Sequence, residues 1–126
     1  MADASENRSK SHTARPVEDF LPLHPFELRI LLVLAEGQAH GYPIVKAIEE
    51  KDGTWKRVLP ANLYRRLRDM LASGLVIEVD SADGAPDDDR QRRTFALTEL
   101  GRRVAIAETS RLEALVMDAK AALRRV

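Results

Sequence analysis

The stretch LPANLYRRLRDMLASGLV, Leu59–Val76, sets three arginines, Arg65, Arg66 and Arg68, among apolar residues spaced for a buried helix. Advancing 100° per residue from Leu63 gathers Leu67, Met70 and Leu71 within about a quarter turn, a single inward stripe. Tyr64 borders that stripe. Ala61, Asn62, Arg65, Asp69 and Ala72 fall on the opposite side, and Arg66 and Arg68 mark its two edges. Pro60 suits the first helical position, and Gly74 suits the residue past the end. The outward face is therefore small-sided and cationic. Such a face can approach base edges in a major groove about 12 Å wide, where Arg pairs bidentately with guanine and Asn with adenine. Arg65 and Asn62 are the candidate readers, with Ala61 leaving room beside them. Lys56 and Arg57 precede the helix and, with Arg66 and Arg68, are placed to neutralise phosphate. A plainer account fits the same residues: Arg65 and Asp69 form an i,i+4 pair of the kind that solvates exposed helices.

The neighbouring segments weigh between the two. Upstream, LHPFELRILLVLAEG (Leu23–Gly37) puts Phe26, Ile30, Leu31 and Leu34 at helical spacing, with Leu32 and Val33 widening the apolar face. That pattern predicts a helix from Pro25, buried on most sides and stopped by Gly37. QAHG, residues 38–41, reads as a turn that includes His40. Tyr42–Lys51 repeats Ile44, Val45 and Ile48 against Lys46, Glu49 and Glu50, an amphipathic helix ended by Asp52-Gly53.

Downstream, LVIEVD (Leu75–Asp80) alternates Leu75, Ile77 and Val79 with Glu78 and Asp80, the period of a half-buried strand. RRTFAL (Arg92–Leu97) alternates Phe95 and Leu97 with Thr94 and Ala96. The two predict an antiparallel hairpin with a long, acidic loop. Thr98 is the expected N-cap of a last helix running to about Arg124, with Leu100, Val104, Ala107, Leu112, Leu115, Val116, Ala119 and Leu123 mostly three and four apart.

Two strands alone are unstable in water, so the hairpin must lie on the helices. The expected fold is mainly α with a small β-hairpin: a winged helix-turn-helix plus a long C-terminal dimerisation helix. The hairpin adds a second basic cluster, Arg90, Arg92 and Arg93, and a groove-entering helix with a basic wing is a known docking geometry.

The whole chain sets wider limits. Its 126 residues suffice for one modest core. Formal net charge is zero, so an electrostatic argument must rest on local clusters. Without cysteine, disulfides, thiolate metal sites and cysteine nucleophiles are excluded, which fits a reducing cytoplasm. The longest apolar run, Ile30–Ala35, is too short to span a bilayer. The polar first residues show no secretion signal and are expected to be disordered through about Glu18. The domain reading is a tail over 1–18, a winged helix over 19–98 and the dimerisation helix over 99–126.

Other candidates take ordinary roles. Asp83, Asp87, Asp88 and Asp89 lack the ligand spacing of a calcium loop and read as a solvated turn. His12, His24 and His40 show no ligand spacing. Met70 fills core, and Trp55 and Tyr64 suit its edge. With no acid–base pair, nucleophile set or glycine-rich phosphate loop, no enzyme, cofactor or metal is expected.

Three blocks in order, ILLVLAEGQAHGYPIVKAIEE from Ile30, LPANLYRRLRDMLASGLVIE from Leu59 and RRTFALTELGRR from Arg92, resemble the PadR family of bacterial transcriptional regulators. His40-Gly41-Tyr42, Leu63-Tyr64, Gly74–Val76 and Leu97–Gly101 carry most of the resemblance, which covers roughly Pro25 to Ala105. It implies a homodimeric winged-helix repressor on a double-stranded DNA operator. Its third helix would hold Asn62, Tyr64, Arg65 and Arg68 toward the bases, and its basic strand would be Arg92 and Arg93. The family usually places aromatics at both positions of Thr94 and Phe95; here only Phe95 is aromatic. The dimer would form through Leu112, Leu115, Val116, Ala119 and Leu123 on the last helix. Some relatives bind aromatic compounds between such helices, but this last helix has no aromatic; a small-molecule effector stays open and unidentified. Two alternatives to the DNA reading stand: a dimeric protein-interaction module, and a small-molecule sensor with little DNA sequence preference.

Overall fold

The computed structural model describes residues 15–53, 60–79 and 93–124. A 3-10 turn, Val17–Phe20, leads to α1 (Pro25–Ala35), β1 (Ala39–His40), α2 (Gly41–Lys51), α3 (Pro60–Ser73), β2 (Val76–Val79), β3 (Thr94–Leu97) and α4 (Glu99–Arg124). The tail expected through Glu18 lies outside the described residues as far as 14. From Arg15 the chain has a defined place, with the Arg15 guanidinium 4.1 Å over the Phe20 ring.

Helix α1 starts as expected. Pro25 opens it, and the Nδ1 of His24 at the N-cap accepts from the Phe26 amide at 3.0 Å. It buries Phe26, Ile30, Leu31 and Leu34 against α2 and α4. Its buried face is narrower than expected: Leu32 stays 39% exposed. Ile44, Val45 and Ile48 of α2, with Leu63, Leu67 and Met70 of α3, complete the centre of the core.

Two expectations about the sheet need correction. QAHG is no simple turn, because Ala39 and His40 form a third strand, and the sheet order is β1-β3-β2. Ala39 pairs with Phe95 and His40 with Thr94, which brings His40 Nε2 within 3.3 Å of the Thr94 hydroxyl. The phase of β2 is also shifted by one residue. Val76 lies opposite Leu97 and shares the buried face with it and Phe95, while Ile77 is 48% exposed. The cause is the end of α3. Gly74 adopts φ +86°, the Leu75 amide donates to the Met70 carbonyl at 2.9 Å, and the Gly74 amide donates to Leu71 at 3.2 Å. This Schellman turn spends Leu75 on the core before the strand begins, so strand alternation starts at Val76.

The junction of sheet and long helix is built on Thr98. Its hydroxyl accepts from the Gly101 amide at 2.9 Å, capping α4, and lies 2.6 Å from the Gly74 carbonyl, to which it donates. Its own amide donates to the Leu75 carbonyl at 3.2 Å. One residue therefore ties the exit of α3 to the entry of α4. Gly101 faces that same carbonyl so closely that a Cβ there would overlap it.

Helix α4 runs for 26 residues, about 39 Å at 1.5 Å each. Its first half packs on α1 and the 3-10 turn, burying Gly101, Val104, Ala105 and Glu108. From Glu113 to Arg124 every residue is exposed. Glu108 is a buried acid that the sequence reading passed over. Arg111 donates to both its oxygens, at 2.7 and 2.8 Å. The Arg111 hydrogen bonds hold its carboxyl below the ordinary carboxylate range although burial pushes the other way.

Candidate nucleic-acid interface

The division of α3 into two faces follows from its sequence. Leu63, Leu67 and Met70 are each at most 1% exposed, and Tyr64 and Leu71 pack at the edge of the core. With that stripe fixed inward, helical geometry leaves Asn62, Arg65, Arg68, Asp69 and Ala72 in solvent. Arg65 Nη2 donates to Asn62 Oδ1 at 3.2 Å, one turn apart, and not to Asp69. The two candidate readers thus stand together on the outer face. An arginine keeps further N–H donors when one is occupied, so the pair can still present a fork to a base.

Arg66 is placed differently. It turns toward α1, where its Nη1 donates to Glu27 Oε2 at 3.3 Å, with only 29% and 19% of the two side chains exposed. It does not join Arg65 and Arg68 in solvent. Tyr64 also leans inward: its ring lies against Gly41, where an added Cβ would come within 2.8 Å of the ring carbon that carries the hydroxyl. The bare backbone of Gly41 at the start of α2 thereby lets the two helices of the helix-turn-helix cross closely.

Arg93 stands just before β3. It pairs with Glu78 on β2 at 3.4 Å, both groups about half exposed, so the pair is screened and holds Arg93 weakly. Arg68 and Arg93 border a cleft between α3 and β3 that is floored by Leu67, Leu71 and Phe95 and closed at one side by Tyr64. Helix and sheet thus contribute one arginine each to one cleft. Lys56, Arg57, Arg90 and Arg92 lie outside the described residues, as does the acidic loop with Asp83 and Asp87–Asp89; Ala61 has a place on α3, but its side chain is undescribed. Leu112 is partly covered, and Leu115, Val116, Ala119 and Leu123 are exposed on the far half of α4.

Sequence reasoning missed Glu27 and Glu108. Each is an acid in a helical pattern that reads as solvated; Glu27 meets Arg66, distant in sequence, and Glu108 is buried with Arg111 one turn on.

Three short helices, the third with its outer face polar and cationic, and a small three-stranded antiparallel sheet define a winged helix-turn-helix of the transcription-regulator class. The chain belongs to the transcriptional regulator PadR-like family, whose model matches residues 30–107. No curated protein matches it in sequence. Among solved structures it is similar to RosR of H. salinarum in the hsRosR-S4 complex (28% identity, 84% of this chain and 96% of that one, TM-score 0.57). TA0346 from Thermoplasma acidophilum is similar too (25% identity, 79% and 91% covered, TM-score 0.60). The adhesin competence repressor AdcR from Streptococcus pyogenes, 14% identical over 99% of this chain and 82% of that one, shares the fold (TM-score 0.56). No helix among the described residues is long and apolar enough to cross a membrane.

Proposed function

We propose that this PadR-like regulator is a cytoplasmic, sequence-specific repressor that binds an inverted-repeat operator as a homodimer. In this reading residues 19–98 read DNA and residues 99–126 hold two copies together. The observation that carries it is the outer face of α3, where Asn62, Arg65 and Arg68 stand in solvent over a fully buried stripe. Arg68 is exposed on α3, where its guanidinium can reach phosphate. Arg93 supplies a second backbone contact across the cleft.

The dimer reading rests on α4. Leu115, Val116 and Leu123 are 52%, 49% and 70% exposed, an apolar stripe that a lone chain would leave in water. Pairing with the same stripe of a second copy buries it around a twofold axis, and two recognition helices then face one duplex.

Replacing Arg65 by Ala is expected to lower affinity for the preferred duplex by ~1–3 kcal/mol and to relax preference at one base position. Arg93→Ala is expected to weaken all duplexes alike and flatten the salt dependence. Mobility-shift titrations on preferred and scrambled duplexes separate the two patterns. Equal affinity of Arg65→Ala and the parent for the preferred duplex would remove α3 as the reader.

A further inference from the structure

We infer that Arg66, through its ion pair with Glu27 of α1, is a positioning residue that sets the roll of α3 against the core and so decides which base edges Asn62 and Arg65 meet. The inference rests on the DNA-reading assignment made above and adds to it a residue that acts without touching DNA.

Apolar packing leaves the roll of α3 loosely determined. Leu63, Leu67 and Met70 fix which face of α3 is buried, but aliphatic contacts adapt to small rotations. Base reading tolerates little of that, because donors and acceptors must meet within roughly 0.5 Å and 10–20°. A polar contact at the edge of the stripe removes the freedom. Arg66 lies halfway along α3, at the border between its buried and solvent faces, and Glu27 holds it at 3.3 Å in a partly buried setting.

The anchor on the other side is itself fixed. Glu27 lies in the first turn of α1, where the helix dipole favours a carboxylate. Helix α1 packs on the first half of α4, and Arg29 of α1 donates to Asp52 at the end of α2 at 3.0 Å. Helix α1 is thus tied to α4 and α2, and through Glu27 it passes that frame to α3. The orientation of the reading face then follows the long helix that the dimer reading places at the twofold axis.

A phosphate-contacting Arg66 and a positioning Arg66 predict opposite signs for one substitution. Glu27→Gln replaces the ion pair by at most a neutral hydrogen bond and leaves the arginine. If Arg66 contacts phosphate, the variant frees a cation, deletes a negative charge and binds DNA more tightly. If Arg66 positions α3, the variant loses about three- to tenfold in affinity for the preferred duplex and keeps its affinity for a scrambled one. Arg66→Gln is expected to match it, with the parent's slope of log affinity against log salt retained, whereas loss of a phosphate contact lowers that slope by ~0.9. Arg66→Lys, which keeps the charge and can still reach Glu27, is expected to recover part of the preference.

The probes are the duplex that the full-length parent enriches from a random pool and a scrambled duplex of equal length. Thermal melting run alongside checks that the variants remain folded, and Arg66→Lys carries the test should Gln at either position unfold the chain. Tighter binding by Glu27→Gln, or a lowered salt slope for Arg66→Gln, overturns the inference. A parent that enriches no duplex overturns the DNA-reading assignment itself, a different result from either.

Discussion

Gly101→Ala is expected to destabilise the protein by about 3 kcal/mol, lowering its melting temperature by roughly 10 °C at fixed protein concentration. The Cβ it adds would meet the carbonyl oxygen of Leu75, with a Leu97 methyl carbon 2.9 Å away on another side. The obstacle is backbone, which cannot swing aside as a side-chain tip can. Leu75 is held by the Schellman turn behind it, and its carbonyl accepts from both the amide and the hydroxyl of Thr98. Making room for one methyl group therefore means opening the junction that joins α3, β2 and α4. Calorimetry or a denaturant titration measures the loss. A melting temperature within about 2 °C of the parent's would show that the helix can retreat from the strand without cost, and the close approach would then have no structural role.

Leu115→Asp acts at the other end of α4 and on a different property. Leu115 is half exposed and outside the core of the single chain, so the substitution costs little packing within it. Facing the same stripe of a second copy, it would bury a carboxylate pair in an apolar seam, a cost that no partner offsets. The expected result is a monomer at micromolar concentration by sedimentation. Operator affinity should fall with it by about 10²- to 10⁴-fold, because each chain then holds one half-site without the effective concentration that linkage supplies. A variant that remains dimeric and binds as before would place the interface elsewhere.

Much of this architecture was legible in the chain. The stripe Leu63, Leu67 and Met70 repeats at helical spacing over a full helix, and a pattern of that length leaves one solution for which side faces in. The same geometry put Asn62, Arg65 and Arg68 outside. Thr98 and Gly74 were legible because capping depends on residues only a few positions away.

What escaped was non-local or too short. Ala39 and His40 make a strand of two residues, below the length at which alternation can be read, and only pairing with Thr94 and Phe95 defines it. Leu75 looked like the first inward residue of a strand because the turn that claims it for the core lies at the end of the preceding helix. Spacing set Arg66 and Arg68 alike at the edges of the outer face, with nothing to tell one from the other. What distinguishes Arg66 is Glu27, 39 positions away in sequence. Glu108 was hidden too, since a glutamate in a charged helix reads as solvated until the packing of α1 and the 3-10 turn covers it.

The central claim is that the outer face of α3, repeated by a second copy, reads a twofold-symmetric duplex. Selection of bound duplexes from a random pool by the full-length chain, at moderate salt, tests it most directly. The account predicts enrichment of an inverted repeat whose half-sites sit about one helical turn, ~10 base pairs, apart. Retention of duplexes with no enriched sequence, or with a single unrepeated motif, would contradict it.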